Sequence, residues 1–263
     1  MLEINNIYNM DCLEGMKYIE DKSIDMILCD LPYGTTACKW DSIIPLDKLW
    51  EHYERIIKPL GVIVLTASQP FTSFLITSNI KLYKYNWIWK KTRPTGFSHS
   101  KNMPLKDYED ICVFSKGIIQ HAHLTNNRMN YYPQGVRECY KKIKRTSKGF
   151  EGTMERKSQT NEYVGKLENF PRMVLEIPSE GKTIHPTQKP IALFEYLIKT
   201  YTQEGELVLD NCIGSGTTAI ACINTNRNYI GFELNKEYYE LARNRINKHI
   251  IDNNLQDKYN LIA

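Results

Sequence analysis

Asp30-Leu31-Pro32-Tyr33 follows the apolar run Ile24-Asp25-Met26-Ile27-Leu28-Cys29, so a carboxylate, a rigid turn and an aromatic face meet at the end of a predicted strand. That combination suits the capture of a planar base carrying an amino group. The lone pair of an exocyclic amine is delocalised into its ring, which makes the nitrogen a poor nucleophile. Two acceptors on its N–H groups raise its electron density and favour a tetrahedral nitrogen, stabilisation placed where charge changes in the transition state. Asp30 offers one acceptor and the Leu31 carbonyl the other; Pro32 fixes the direction of that carbonyl, and Tyr33 offers a face for stacking. In isolation the same four residues also describe a capping Asp, a proline turn and a packed Tyr.

Far downstream, Asp210-Asn211-Cys212-Ile213-Gly214-Ser215-Gly216-Thr217 follows a second apolar run and opens a helix. Glycines at a strand-to-helix turn let a ligand approach the backbone, and the helix start offers free N–H groups. Glu233 ends the next predicted strand, where a carboxylate accepts hydrogen bonds from ribose hydroxyls. The loop lacks the Gly-Lys-Ser/Thr ending of a phosphate-cradling loop and the full Gly-x-Gly-x-x-Gly of dinucleotide sites. A nucleoside without a phosphate chain suits it better, and the two loops together imply group transfer onto a base.

The elements that must position these loops alternate. Strands are expected at residues 4–9, 24–29, 62–66, 85–90, 111–114, 207–209 and 229–232. Helices are expected at 13–19, from Pro45 until Pro59-Leu60-Gly61 stops it, and at 71–78, 191–201, 215–224 and 236–249. This alternation predicts an α/β fold, a mostly parallel sheet with helices on both faces.

Between about 115 and 182 the rhythm disappears. Residues 137–157 hold eight Lys/Arg, among them Lys141, Lys142, Lys144, Arg145 and Lys148, against three Glu, with Tyr131, Tyr132, Tyr140 and Phe150 interleaved or adjacent. A basic, partly irregular insert is expected here, fit for phosphate contact, and Arg128, Asn130, Gln134 and Arg137 are chemically able to read base edges.

These residues resemble the amino-methyltransferases of DNA, which carry an Asp/Asn/Ser-Pro-Pro-Tyr/Phe catalytic motif and an Asp-x-Phe-x-Gly-x-Gly cofactor motif. The order, catalytic loop first and cofactor loop last with an insert between, is similar to the circularly permuted β group. The resemblance implies a Rossmann-like core with residues 1–115 as catalytic half, 116–182 as target-recognition region and 183–263 as cofactor half. It implies S-adenosylmethionine as cofactor, with Asp11 and Cys12 by its adenine, and His185, Thr187 and Lys189 at its methionine end. Asp30, Asp210, Cys212, Gly214, Ser215, Gly216, Thr217 and Glu233 complete that set. Trp89-Lys90-Lys91 through Gly96-Phe97 resembles the loop beside the flipped base; Phe97 reads equally as core. Leu31 stands where the family has Pro, and Cys212 where it has Phe. Asp at position 30 favours adenine N6 over cytosine N4 by family habit.

At 263 residues with 42% apolar and 24% charged composition, the chain can bury a substantial core. No stretch approaches the ~18 apolar residues of a membrane span and no leader is evident, so a cytoplasmic location is expected. The seven cysteines form no Cys-x-x-Cys pair, and His99, His121 and His123 lack partners at zinc spacing, so no metal is expected. The expected function is adenine-N6 methylation of double-stranded DNA. Its rivals are cytosine-N4 methylation and a catalytically silent nucleic-acid-binding subunit. A homodimer and a restriction endonuclease partner are both compatible with the sequence.

Overall fold

The computed structural model describes residues 2–34, 42–120, 125–147, 159–181 and 188–262. In chain order the elements are β1 (Asn6–Asn9), α1 (Cys12–Met16), β2 (Ile24–Asp30), α2 (Leu46–Ile56), β3 (Ile57–Ala67), α3 (Phe71–Ser78), β4 (Tyr83–Thr95), β5 (Lys106–Ser115), β6 (Arg137–Ser147), β7 (Gln159–Glu168), β8 (Val174–Glu176), α4 (Ile191–Tyr201), β9 (Leu207–Asp210), α5 (Thr217–Asn224), β10 (Asn228–Glu233) and α6 (Lys236–Asp252).

The chain forms two compact units, a larger one of residues 1–132 with 173–263 and a smaller one, Pro133–Arg172. The larger unit is built on one sheet of order β1-β10-β9-β2-β3-β5-β4-β8. From β1 to β3 all neighbours are parallel, while β5 runs antiparallel to both β3 and β4, and β8 is parallel to β4. The mostly parallel α/β architecture read from the sequence is therefore present.

β2 is buried on both faces, which explains its apolar run Met26-Ile27-Leu28-Cys29; the buried Asp25 before it pairs with Lys58 at 2.6 Å. Met26 and Leu28 enter one core cluster with α4, α5 and α6 residues such as Leu197, Ile220 and Ile246. Ile27 and Cys29 enter the other, with Met16, Tyr53 and Leu75 from α1, α2 and α3. Each fully buried Leu or Ile contributes roughly 1.5–3 kcal/mol, so the strand that carries Asp30 is firmly held.

Chain order reverses direction across the sheet between β2 and β9, which pair through Met26↔Val208 and Ile27↔Leu209. Such a switch point opens a crevice beyond the carboxyl ends of the strands. Asp30 ends β2 and Asp210 ends β9 at that crevice.

Two expectations differ from the structure. α2 ends at Ile56, and Pro59 and Gly61 lie inside β3 rather than forming a stop. The β2–β3 register shifts there between Ile24 and Met26, and a Cβ on Gly61 would come within 2.8 Å of the Asp25 carbonyl, so a glycine is required where the strands approach. The insert was read as 116–182, but Met129 is buried in the larger unit's core, Tyr132 N–H donates to the Thr200 carbonyl, and β8 joins the sheet through β4. The separate unit is 133–172, an antiparallel β6–β7 hairpin.

Candidate active site

Asp30 and Thr66 are register partners on β2 and β3. The Thr66 hydroxyl donates to Asp30 Oδ1. The Tyr33 hydroxyl lies 2.7 Å from the same oxygen and 3.0 Å from Thr66 Oγ1. Burial, with the charges of Asp30 and Glu109, pushes the Tyr33 hydroxyl well above its ordinary value, so it remains a donor. Phe71, at the start of α3, stacks on the Tyr33 ring at 5.3 Å and 25°. Leu31 is buried in the core below, which anchors the turn through packing where the family motif has a proline.

The other carboxylate oxygen, Oδ2, receives the Lys189 ammonium at 2.5 Å. Lys189 also lies 3.4 Å from Glu109 Oε2, and Lys91 lies 2.5 Å from Glu109 Oε1. Burial alone would lower Lys189, but Asp30 and Glu109 reverse the sign and the ammonium is held above its usual range. Burial likewise opposes ionisation of Glu109, and Lys189 with Lys91 outweighs it, leaving that carboxyl below its usual range.

Across the crevice, the β9–α5 turn forms the second wall. Gly214 and Gly216 have φ of 51° and 79°, the left-handed region that side chains avoid. A Cβ on Gly214 would meet nothing nearer than the Cys212 carbonyl at 3.9 Å, so the backbone there is open to a ligand. Gly216 instead sits behind the turn, where a Cβ would come within 3.1 Å of Ile246 on α6. Glu233, at the end of β10, accepts from Gly214 N–H at 3.0 Å and from Asn235 N–H at 2.9 Å, and burial raises its carboxyl. Asp210 accepts from the Cys212 N–H at 3.0 Å and from the Thr218 hydroxyl; burial pushes it up to about 6.

One cleft of about 920 Å³ joins the two walls. Asp11, Cys12, Asp30, Leu31, Pro32, Tyr33, Lys189, Asp210, Cys212, Gly214, Ser215, Thr217 and Glu233 all line it. Asp11 is also the N-cap of α1, accepting from Leu13 and Glu14 N–H groups. His185, Thr187, His121 and His123 lie outside the described residues. The fit to a nucleoside cofactor rests on the open Gly214 backbone and the strand-end Glu233 carboxylate, both facing a cleft of drug-sized volume.

The profile of a DNA methylase family covering N6 and N4 enzymes matches residues 24–244. The chain belongs to this family. The methylase is similar to M1.MboII, a type II methyltransferase of Moraxella bovis, with 28% identity covering 94% of this chain and 98% of that protein. YhdJ, a DNA adenine methyltransferase of Escherichia coli K12, is 26% identical, with 93% and 83% covered. The solved structure of the M1.HpyAVI–SAM complex matches with a TM-score of 0.59 at 25% identity, covering 91% of this chain and 98% of that one.

Several residues of the methylase site carry no mark in the sequence motifs. Thr66 and Glu109 come from β3 and β5. The Tyr53 hydroxyl of α2 lies 2.5 Å from Asn211 Oδ1 and braces the cofactor turn from below. Arg245 of α6 donates to the Ser215 carbonyl at 2.9 Å and lies 3.1 Å from Thr217 Oγ1. A charge on the apolar stripe of the last helix was the available signal for Arg245. Phe97 is exposed rather than core, as is His99.

The basic hairpin of the methylase neutralises part of its own charge. Lys141 and Arg137 both bridge Glu168, at 2.7 and 2.8 Å, and Lys144 pairs with Glu162 at 3.0 Å. Lys142 is exposed, Arg145 is in register with Asn161, and Lys148 lies outside the described residues. No helix among the described residues is long and apolar enough to cross a membrane.

Proposed function

We propose that this DNA methylase transfers a methyl group from S-adenosylmethionine to the N6 amine of an adenine turned out of duplex DNA. The observation that carries this reading is the Asp30 carboxylate, oriented by Thr66 and Tyr33 at the mouth of the same cleft that Gly214 and Glu233 line. The M1.HpyAVI–SAM complex and the adenine enzyme YhdJ support the choice of cofactor and base.

In this mechanism Glu233 accepts the ribose hydroxyls of the cofactor, the open Gly214 backbone admits it closely, and Asp11 and Cys12 border its adenine. Ser215 and Thr217, tied by Arg245, and Lys189 border the methionine end. S-adenosylmethionine supplies, when bound, an electrophilic methyl group on a sulfonium. Asp30 and the Leu31 carbonyl accept the two amine hydrogens, so the nitrogen lone pair is freed for attack. As the nitrogen gains carbon it loses one proton along the hydrogen bond to Asp30. Tyr33, backed by the stacked Phe71, offers its face to the ring of the base at the turn. The thiols nearby are poor nucleophiles: burial pushes Cys29 up to about 12. None is required, because the target is nitrogen. The β6–β7 hairpin, with Lys141, Lys142, Lys144 and Arg145 on one strand, supplies phosphate contacts.

The test is labelled-methyl transfer to unmethylated duplex DNA, followed by digestion to nucleosides and mass measurement, with Asp30→Ala as control. N6-methyladenine from the wild type alone is expected. Recovery of N4-methylcytosine only would overturn the adenine assignment, and equal transfer by wild type and Asp30→Ala would remove Asp30 from the chemistry.

A further inference from the structure

Both oxygens of Asp30 are engaged in this structure. Oδ1 takes the Thr66 and Tyr33 hydroxyls, and Oδ2 takes the Lys189 ammonium. Neutral donors on Oδ1 orient the carboxylate for its task. An ammonium on Oδ2 opposes that task, because the target nitrogen gains positive charge as it is methylated and like charges at contact distance repel. Lys189 cannot relieve the conflict by turning into water, since its side chain is 6% exposed.

Among the described residues one other carboxylate lies within ion-pair distance of Lys189. It is Glu109, whose Oε2 is 3.4 Å from the ammonium, buried, and without a hydrogen-bond partner. A buried carboxylate oxygen left without a donor is costly and therefore informative. Glu109 is itself fixed: its Oε1 holds Lys91 at 2.5 Å, and its backbone pairs with Trp89 across the β4–β5 ladder. An anchored carboxylate thus offers its second oxygen, held at the longer ion-pair distance, to the lysine that occupies the catalytic one.

Building on the methyl-transfer reading above, the geometry points to Glu109 as a positioning residue that receives the Lys189 ammonium from Asp30 when the target amine enters. The ammonium moves from Asp30 Oδ2 to Glu109 Oε2, no proton is exchanged, and the two carboxylates and two ammonium groups remain balanced. Asp30 Oδ2 is then available to the amine hydrogen. In the resting state the same lysine neutralises Asp30, so that carboxylate is compensated before the base arrives. Glu109 acts on Asp30 through Lys189, from the wall of the same cleft.

A double-mutant cycle tests this. Single-turnover methyl transfer to unmethylated bacterial genomic DNA, which presents every short recognition sequence, is measured for wild type, E109Q, K189M and the double variant. S-adenosylmethionine affinity and thermal midpoint are recorded for each. E109Q is expected to slow transfer at least about tenfold with unchanged cofactor affinity, and to cost nothing further once Lys189 is Met, a coupling of the size that contacting residues show. E109D, which keeps the charge on a shorter arm, is expected to restore part of the rate, and it replaces E109Q in the cycle if that variant does not fold. E109Q within twofold of wild type, or an E109Q cost that persists undiminished in the K189M background, overturns the hand-off while leaving the methyl-transfer reading intact. Absence of transfer by the wild type to any DNA overturns both.

Discussion

Thr66 and Asp30 face one another on adjacent parallel strands, and the Thr66 hydroxyl donates to the carboxylate that the proposed chemistry uses. Sheet register thus aims the acceptor. Thr66→Val keeps the β-branched shape and removes the donor, and Tyr33→Phe removes the second donor while keeping the ring against Phe71. Each is expected to lower the single-turnover rate by about ten- to a hundredfold, the worth of a hydrogen bond to a charged group. Cofactor affinity by calorimetry should stay constant; a parallel fall in affinity would show that the substitutions disturb the cleft as a whole.

The β9–α5 turn yields a stability contrast. Gly216 and Gly205 have φ of 79° and 81°, but a Cβ at Gly205 meets nothing within 4 Å whereas at Gly216 it meets Ile246. Gly205→Ala is expected to cost about 1–2 kcal/mol from backbone strain alone. Gly216→Ala should cost more and also weaken S-adenosylmethionine binding. Equal melting midpoints for the two variants would rule out the contribution of Ile246.

Asp210 gives a pH dependence. Burial holds its folded value at about 6, above the ~3.9 of a free Asp. Folding therefore favours the protonated form, and that contribution to stability is full below about pH 4 and lost as pH rises through the folded value. A cationic cofactor has the opposite preference, because it favours the carboxylate. Its affinity should fall by up to about tenfold per pH unit below the folded value and level off above it, and Asp210→Asn should flatten the profile. Wild-type affinity that is constant from about pH 5 to 7 would remove Asp210 from cofactor recognition.

The hairpin predicts a graded salt effect. Lys142 is exposed, whereas Lys141 sits 2.7 Å from Glu168. Lys142→Ala should reduce the slope of log affinity against log salt for duplex DNA by about 0.9, the value for one phosphate contact. Lys141→Ala should reduce it less. Identical slopes for wild type and both variants would dissociate this strand from DNA binding.

Legibility in the sequence followed the strength of apolar patterning. α3 at Phe71–Ser78 and α4 at Ile191–Tyr201 end where spacing and flanking residues set them, and β2 was evident from its mostly apolar run. The β6–β7 hairpin was not legible, because Arg-Glu-Cys-Tyr-Lys-Lys-Ile-Lys mixes charged and apolar residues on both faces and offers no clean period. The compact unit at 133–172 is narrower than the expected insert of 116–182, because Met129 and the short β8 reach the core through tertiary pairing alone. Within the site, Asp30, Tyr33, Gly214 and Glu233 announce themselves by standing at strand ends. Glu109 and Thr66 do not, since ordinary strand positions gain meaning only from their neighbours across the sheet. Lys189 lies 159 residues from Asp30, and no local rule joins them.

The pairing of β2 with β9 has a consequence for biosynthesis. β2 is synthesised before the strand that completes its other edge, Leu207–Asp210, which lies far downstream in the chain. Until then β2 has an unpaired edge, and the nascent chain holds its acceptor carboxylate with no cofactor wall opposite. Competence therefore waits on that distant pairing, and a polypeptide cut short before Leu207 lacks the wall that Gly214 and Glu233 form.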